Sequence, residues 1–403
     1  MKIGIFLEGT PQMGGGFFQS LKSLLLLLEI EKYKSQMEVI ITNDEAVKYL
    51  KEKKIKTKLF KLNIFTGYFS QLFEIDLIKD LFNKLKIKYP FTKFIRKNKY
   101  DLIIFLGPSI LSKFCAEISF VSNIWDIDHK KNSQFPEHNS NFNFENKEKL
   151  YNHIVHKAFK ILVAHQSNKE DLINFYKANE SRVLIQNFIP MLPTLHEKNI
   201  EKKLDYKELF EKFDLPKNKK IIFYPAQFWA HKNHKYLIDV VNILKSKNNN
   251  NFFFVFCGGN KGNFEYIKNL IKNDKLESYV KILNFINDNE VISLYLNSEA
   301  IVMPTYCGPT NLPIFEAFYF KKIIFYTKGL IKDSMMNDHL INVDTSNPED
   351  LCEKLQICFE EDKKENMIKK NYEFYKNICS ENSFIKNYTQ ILNEFSYLIK
   401  RWK

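Results

Sequence analysis

The sequence predicts an α/β protein with two doubly wound domains in tandem, and three observations support this fold class. Strand and helix patterns alternate in two series, separated by a segment at 188–199 with two prolines and little periodicity. Several strands are near-continuous apolar runs, such as DLIIFL at 101–106, which is typical of buried parallel strands. The 403 residues also exceed one usual hydrophobic core. We therefore predict a first domain at 1–187, a second at 188–379 and a terminal helix at 380–403.

The first series supplies seven predicted strands and four predicted helices. The strands are expected at 2–8, 37–42, 56–60, 101–106, 118–125, 160–164 and 182–186. The helices are expected at 17–33, 44–53, 145–159 and 167–178. Such alternation predicts a parallel sheet with helices on both faces.

The second series begins just after Lys219. Its strands are expected at 221–225, 252–257, 280–285, 300–303, 323–326 and 340–343. Its helices are expected at 235–247, after a cap at Asp288, from Pro313, and at 348–361 behind a cap at Asn347. The tail from Ser380 has apolar residues at helical spacing and is predicted to be one long helix.

Composition restricts the compartment and the class of partner. The six cysteines form no C-x-x-C pair and lie mostly on apolar or helical stretches, which is typical of buried thiols in a reducing compartment. No signal-peptide pattern is present, and the leucine run at 24–28 is too short to span a membrane. We expect a soluble, cytoplasmic chain. The net charge of +13 predicts an anionic partner, and without any nucleic-acid motif we expect no nucleic acid.

The positive charge is concentrated at 79–99, where eight basic residues and one acid are interleaved with apolar side chains. A segment of this kind can lie on an anionic bilayer. The alternative is an ordinary pair of solvated helices whose apolar sides face the core. The cluster as a whole favours peripheral contact with the inner face of a membrane.

Two loops of the second series carry the features of an anion site. The stretch 300–320 runs from a strand through a loop rich in Gly, Pro, Thr and Asn into a helix with Pro313 at its start. Free N–H groups at such a helix start favour a phosphate, and Glu316 one turn later can accept a hydrogen bond from a sugar hydroxyl. Its alternative role is to complement the helix dipole. Lys232, in the loop before the helix capped by Asn233, adds a positive point charge that favours a phosphate. The alternative is that it is one of the many solvated lysines of the chain.

The topology predicts where these loops meet. Ligand sites of doubly wound sheets lie at the carboxyl ends of the strands. The loops at 225–234, 258–262 and 304–313 are therefore expected on one rim, and those at 8–16, 107–110 and 126–136 on a second rim facing it.

Four motifs in order give a family resemblance. These are EGTPQMGGGFFQS, WDIDHKKNSQFPE, YPAQFWAHKNH and MPTYCGPTNLPIFEA. Together they resemble the retaining GT-B glycosyltransferases (glycosyl transferases group 1), and the resemblance extends over nearly the whole chain. It implies two Rossmann-like domains facing each other across a cleft, a donor nucleotide bound by the second, an acceptor by the first, and a terminal helix that returns to the first domain.

The resemblance also implies roles for individual residues. Lys232 is similar to the lysine that holds the donor diphosphate, and Glu316 to the second glutamate of the E-x7-E signature, which binds the ribose. His129 is similar to a histidine that approaches the transferred sugar. The remaining donor-binding residues are implied to lie in two loops. Gly14, Gly15 and Gly16 are in the loop after the first strand, and Thr310, Asn311 and Leu312 are in the loop at 304–313, called the anion loop below.

Two positions depart from the family pattern. Gly308 stands where the first glutamate of E-x7-E is expected, and Gln227 where an arginine usually partners the lysine. Gln227 removes one fixed positive charge, so neutralisation of the diphosphate depends more on Lys232 and the helix starts.

Metal-ligand patterns are weak in this sequence. Asp126 and Asp128 have the D-x-D form that holds Mn²⁺ in the other glycosyltransferase fold, but they lie in the first domain. The pairs His231/His234 and His153/His156 lack a further Cys or His neighbour in the sequence. We therefore expect no metal and no cofactor beyond the nucleotide-sugar substrate.

The resemblance implies transfer of a sugar, with retention of configuration, from a nucleotide-diphosphate donor to a hydroxyl of a glycan or lipid-linked acceptor. Synthesis of a bacterial surface polysaccharide or glycoconjugate is the expected context. Two alternatives stay open: a nucleotide-sugar binding protein without transfer activity, supported by Gly308 and Gln227, and an epimerase that needs no acceptor.

Overall fold

The chain folds into two compact units. The computed structural model describes residues 1–10, 14–61, 72, 81–82, 84–85, 87–198, 206–284, 286–308, 312–332, 334–357 and 361–402. The first unit comprises Met1–Ile127, Glu145–Ile189 and Ser380–Lys403. The second comprises Asp128–Phe144 and Pro190–Cys379. The main division thus falls between 189 and 190, where the sequence predicts 187 and 188, and the 128–144 segment groups with the second unit rather than the first.

Thirteen strands lie within the described part of the chain. They are β1 (Ile3–Leu7), β2 (Met37–Ile41), β3 (Thr57–Leu59), β4 (Leu102–Phe105), β5 (Ser119–Asn123), β6 (Lys160–Val163), β7 (Val183–Ile185), β8 (Lys220–Pro225), β9 (Phe252–Cys257), β10 (Val280–Leu283), β11 (Ala300–Met303), β12 (Ile323–Thr327) and β13 (Ile341–Val343).

The described α-helices follow the strands in alternation. They are α1 (Gly15–Leu27), α2 (Glu31–Lys34), α3 (Asp44–Glu52), α4 (Pro90–Lys97), α5 (Asp128–Lys131), α6 (Pro136–Asn139), α7 (Asn143–Lys157), α8 (Gln166–Tyr176), α9 (Met191–Lys198), α10 (Tyr206–Lys212), α11 (His234–Ser246), α12 (Phe264–Asn273), α13 (Asp288–Asn297), α14 (Leu312–Tyr319), α15 (Ser334–Asn337), α16 (Pro348–Ile357), α17 (Glu361–Ile378) and α18 (Glu381–Ile399).

Both sheets are parallel and doubly wound, which confirms the predicted fold class. The first has the strand order β3-β2-β1-β4-β5-β6-β7, and the second β10-β9-β8-β11-β12-β13. In each sheet the chain starts in the middle, builds one side, and then crosses to build the other. The reversals lie between β1 and β4 and between β8 and β11, and a crevice opens at such a switch point.

The core of the first unit is aromatic. Phe6 on β1 makes edge contacts with Phe105 on β4 and with Phe91 on α4, at ring-centroid distances of 5.2 and 5.7 Å. Both faces of β1 and β4 are buried, as their apolar sequences predict. Truncating such a ring to alanine typically costs about 3–5 kcal/mol.

The terminal helix packs within the first unit. Ser380 caps α18 by accepting a hydrogen bond from the backbone N–H of Ser383. The buried face of α18 includes Phe384, Tyr388, Ile391 and Phe395. An ion pair joins Glu381 to Lys22 on α1, and Glu394 pairs with Lys160 on β6 at 3.0 Å. The helical spacing in the tail therefore marked its buried face correctly.

Local chemistry corrects three predicted boundaries. Asn287, not Asp288, caps α13, because its side chain and that of Glu290 form a reciprocal capping box. The predicted linker at 188–199 contains α9, in which Met191, Pro193 and Leu195 are buried. The helix expected at 348–361 is two helices, α16 and the separate α17.

In the basic segment 79–99, the α4 part matches the solvated-helix alternative. Phe91, Thr92 and Ile95 are buried on one side of α4. Leu81 and Leu85, by contrast, are 52% and 59% exposed. Lys79 and Lys86 lie outside the described residues. Among the described helices, none has the length and hydropathy of a membrane span.

Candidate functional site

Two loops meet at the β8/β11 switch point of the second unit. One follows β8 and includes a 3₁₀ turn at Ala230–Lys232, and the other follows β11. The N–H of Tyr306 donates to the carbonyl of His231 at 2.8 Å, and Thr305 Oγ1 lies 3.3 Å from the same oxygen. The two loops are therefore one hydrogen-bonded unit, as the strand order requires.

Two buried tyrosines hold the backbone of these loops. The hydroxyl of Tyr224, on β8, donates to the carbonyl of Lys232 at 2.5 Å. The hydroxyl of Tyr326, on β12, donates to the carbonyl of Gly308 at 2.6 Å. Both rings are fully buried. Each carbonyl is therefore oriented toward a buried tyrosine hydroxyl and not toward an approaching anion.

Lys232 lies at the end of the 3₁₀ turn and is half-buried. Asn233 follows at the N-cap position of α11, as predicted, but in the left-handed conformation with φ 53° and without a side-chain cap hydrogen bond. The predicted capping by its side chain is therefore wrong. The turn places the Lys232 backbone directly before the start of a 13-residue helix.

Gln227 is held by its own loop. Its Oε1 accepts a hydrogen bond from Trp229 Nε1 at 3.1 Å, and its carbonyl accepts from the Trp229 N–H at 2.8 Å. Lys261 Nζ lies 5.7 Å from the centroid of the Trp229 ring. The position that carries an arginine in the family pattern thus shapes the loop through a neutral amide.

Glu316 lies on the buried side of α14. Its Oε2 accepts a hydrogen bond of 2.6 Å from the hydroxyl of Tyr295, on α13. Burial raises the pKa of Glu316 to about 7, the Tyr295 hydrogen bond opposes that shift, and Asp288 adds to it. This carboxyl group therefore changes protonation state near neutral pH. It is a stronger hydrogen-bond acceptor in the ionised form.

The anion loop is described only at its two ends. Pro309, Thr310 and Asn311 lie outside the described residues. Leu312 is the first residue of α14, so Pro313 stands second, one place later than the sequence predicted. Gly308 has a φ of 92°, a conformation that favours glycine over the glutamate of the family pattern.

The glycines of the first-strand loop belong to the first unit. Gly14 takes the N-cap position of α1 with φ 78°, and Gly15 and Gly16 form its first turn. A Cβ on Gly16 would lie 3.1 Å from the Trp125 ring. Their visible roles are a helix start and close packing.

Of the histidines that the sequence raised, His129 and His234 are buried, His153 is half-buried and His156 is exposed. His129, on α5 in the 128–144 segment, is 0% exposed and packs edge-on against Phe144. His234 stacks on Phe228 with ring centroids 4.3 Å apart, and burial lowers its pKa to about 3. His153 Nε2 lies 3.2 Å from the Ser112 carbonyl oxygen. His234 and His153 therefore have structural surroundings.

The 128–144 segment contacts both loops of the second unit. Glu137, on α6, accepts a hydrogen bond from the N–H of His231 at 3.0 Å and also contacts His231 Nδ1. His138 Nε2 lies 3.8 Å from Cys307 Sγ. Burial lowers the pKa of His231 to about 4, with Lys232 lowering it further and Glu137 opposing. His231 is therefore neutral at physiological pH.

Comparison with known proteins identifies the second unit. Residues 205–374 match the family model described as glycosyl transferases group 1. This segment, less than half of the chain, resembles the group 1 glycosyltransferases. It contains both loops of the β8/β11 switch point. A search of curated proteins found no match.

Solved structures share the fold of this chain over almost its whole length. A glycosyltransferase from Rickettsia africae ESF-5 is 19% identical, with 98% of each chain covered and a TM-score of 0.69. HepE from Anabaena, in complex with UDP and glucose, is 16% identical, with 98% of this chain and 99% of that chain covered and a TM-score of 0.71. The UDP-GlcNAc 2-epimerase from Neisseria meningitidis, bound to UDP-GlcNAc, is 14% identical, with 98% and 100% covered and a TM-score of 0.60. The fold is therefore GT-B.

The first unit has its own cavity, at the β1/β4 switch point. It measures about 640 Å³ and is lined by residues beyond the carboxyl ends of strands, including Glu8, Thr42, Ser109 and Trp125. The protein surrounding Glu8 raises its pKa above the usual range, and a hydrogen bond with Ser109 opposes the shift. This pocket combines a carboxyl group, hydroxyl groups and an indole ring.

Sequence reasoning placed the loops of this cavity but singled out none of its polar side chains. The expected loops at 8–16 and 107–110 both line it in part. The signal available was position, since Glu8 comes directly after β1 and Ser109 shortly after β4. No sequence position signalled the contacts of Glu137 with His231 and of His138 with Cys307.

Proposed function

We propose that this chain transfers a glycosyl group from a nucleoside-diphosphate sugar to a hydroxyl group, with retention of configuration. The observation that carries the proposal is the hydrogen-bonded loop pair at the β8/β11 switch point, with Lys232 on one loop and the start of α14 after the other. It lies in the segment that matches group 1 glycosyltransferases.

In the proposed reaction, the acceptor oxygen forms a bond to the anomeric carbon on the face that the diphosphate leaves. The bond between that carbon and the diphosphate oxygen breaks, and the acceptor proton passes to the departing diphosphate. The transition state resembles an oxocarbenium ion. Lys232 and the N–H groups at 310–312 stabilise the charge that develops on the diphosphate. Transfer is proposed to need no metal ion.

Glu316 is proposed to accept a hydrogen bond from a ribose hydroxyl, and His129 to approach the transferred sugar. For Glu316 the support is a carboxyl group on α14 whose Oε2 accepts a hydrogen bond from Tyr295. His129 is fully buried, so its role requires a movement of α5. Gly14, Gly15 and Gly16 are proposed to contribute backbone contacts to the donor.

The donor is proposed to be a uridine diphosphate sugar, because HepE of Anabaena was solved with UDP and glucose. The direct test is a thermal-shift screen of UDP, GDP, ADP and their common sugars, followed by a donor-consumption assay with candidate acceptors. Stabilisation by one nucleotide and sugar release that depends on an acceptor are expected. If no nucleotide shifts the melting temperature, the proposal fails.

Acceptor-independent epimerisation is the second candidate, since the Neisseria meningitidis epimerase shares the fold. The same donor, incubated without an acceptor, discriminates between the two. Conversion to an epimer would replace the transferase proposal. Binding of the nucleotide sugar with neither reaction would favour a binding protein, for which Gly308 and Gln227 are the supporting departures.

The acceptor is proposed to be a glycan or a lipid-linked glycan at an anionic membrane surface, in surface polysaccharide or glycoconjugate synthesis. The support is the basic segment 79–99 and the exposure of Leu81 and Leu85. Co-sedimentation with phosphatidylglycerol vesicles, and none with phosphatidylcholine vesicles, is expected. Equal recovery with both vesicles would contradict membrane contact.

A further inference from the structure

Three potential metal ligands from distant parts of the sequence meet in the second unit. They are His138 on α6, His231 in the loop after β8, and Cys307 in the loop after β11. One ligand atom from each lies within 4.8 Å of the other two. The rings of His138 and His231 are nearly parallel, with centroids 6.0 Å apart.

The spacing of one ligand pair, His138 and Cys307, is close to what a tetrahedral ion requires. Zn–N bonds of about 2.0–2.1 Å and a Zn–S bond of about 2.3 Å place nitrogen and sulfur ligands roughly 3.5 Å apart. The observed distance between His138 Nε2 and Cys307 Sγ is 3.8 Å. A shift of a few tenths of an ångström brings these two atoms to the distance that zinc requires.

Glu137 supplies the outer support that such sites use. Its Oε1 contacts His231 Nδ1 and also accepts the His231 backbone N–H. A carboxylate on one ring nitrogen fixes the tautomer of an imidazole and makes the other nitrogen a better ligand.

Burial and access are also suitable. His138 and Cys307 are 6% and 2% exposed. The His231 side chain is 13% exposed, which leaves a route for an ion.

We propose that His138, His231 and Cys307 bind one zinc ion, with the fourth position open to water. Thiolate and imidazole ligands together select zinc over magnesium or calcium. The ion carries +2, the Cys307 thiolate −1 and the Glu137 carboxylate −1, so the local sum is zero. This ion therefore does not replace the positive charge missing at Gln227. Its role is to hold the 128–144 segment against the two loops of the switch point.

Metal content and cobalt spectroscopy test the proposal on the full chain, purified without a polyhistidine tag. We expect close to one equivalent of zinc. Cobalt(II) exchanged into the protein is expected to give a thiolate-to-cobalt charge-transfer band and tetrahedral d–d bands. Chelation is expected to lower the melting temperature and zinc to restore it, since binding to the native state stabilises it.

Variants assign the ligands. Cys307→Ser should abolish the charge-transfer band, whereas Cys257→Ser, at another buried thiol of the same unit, should retain it. Glu137→Gln should weaken zinc affinity about 10–100-fold while keeping the band. Circular dichroism confirms that each variant is folded. Wild-type protein with no zinc and no cobalt band, or identical bands in the two serine variants, would overturn the assignment.

Discussion

The two switch points of this chain have the same topology and different chemistry. At β1/β4 the first unit has an open cavity with a carboxyl group, hydroxyl groups and an indole. At β8/β11 the second unit has a half-buried lysine, and loops whose carbonyls are held by Tyr224 and Tyr326. The fold decides where a ligand binds, and the residues after each strand decide which ligand. On the function proposed above, the first site would bind the hydroxylated acceptor and the second the anionic diphosphate.

The largest expected effect comes from removing the cation of the second site. Lys232→Ala should lower turnover about 10²–10³-fold, because one fixed group that stabilises the leaving charge is lost. The matched control is Lys235→Ala. Lys235 is the next lysine along the chain and forms an exposed ion pair with Asp239, so this variant should keep turnover near the wild-type value. Steady-state kinetics with donor and acceptor check both. Equal turnover in the Lys232 variant and the wild type would remove Lys232 from the mechanism.

Glu316→Gln separates stability from binding. The native pKa of about 7 lies above the ordinary 4.5, so the native state keeps a proton that the unfolded chain releases between these values. Wild-type stability should therefore fall as pH rises from 4.5 to 7 and then level off. The variant should match the wild type below pH 4.5 and exceed it by up to about 3 kcal/mol at pH 8.

Urea unfolding of both proteins at pH 4 and pH 8 measures this difference. The same variant should bind the nucleotide more weakly by calorimetry, because a neutral amide accepts a weaker hydrogen bond from the ribose. Glu373→Gln, at an exposed pair with Lys376, is the control for a change of surface charge. If the variant and the wild type have equal free energies of unfolding at both pH values, burial does not raise the pKa of Glu316.

Tyr326→Phe tests whether the hydrogen bond from Tyr326 to the Gly308 carbonyl contributes to donor binding. Loss of the hydroxyl leaves the Gly308 carbonyl without this donor, at a cost of about 1–3 kcal/mol. Donor KM should rise about tenfold or more while the acceptor KM stays unchanged. Tyr236→Phe, whose hydroxyl contacts the Asn347 carbonyl at 3.4 Å, is the matched control. A change confined to the acceptor KM would reverse the assignment of the two units.

The smallest expected effect lies in the first site. Glu8→Gln should raise the acceptor KM a few-fold to tenfold, about 1 kcal/mol, because an amide replaces the carboxyl group in a hydrogen bond to the acceptor. Donor affinity should not change. The measurement is initial rate against acceptor concentration at saturating donor. An altered donor affinity with an unaltered acceptor KM would contradict the division of labour between the sites.

Much of the fold could be predicted from local patterns. The apolar runs at β4 and β9, the helical spacing of α18 and the alternation of elements all depend on burial within a few residues. The strand order then brought together the loops around Lys232 and Gly308. What the sequence did not predict depends on contacts between distant residues. The carbonyl contacts of Tyr224 and Tyr326, and the meeting of His138 with Cys307, have no periodicity to reveal them.

The central claim is that the diphosphate binds at the switch point of the second unit. Hydrogen exchange measured by mass spectrometry, with and without the nucleotide that most stabilises the chain, tests it directly. We predict slower exchange in peptides that cover 226–234 and 304–320, and unchanged exchange around Glu8 and Ser109. Protection around Glu8 and Ser109, with none at the two loops of the second unit, would contradict the claim.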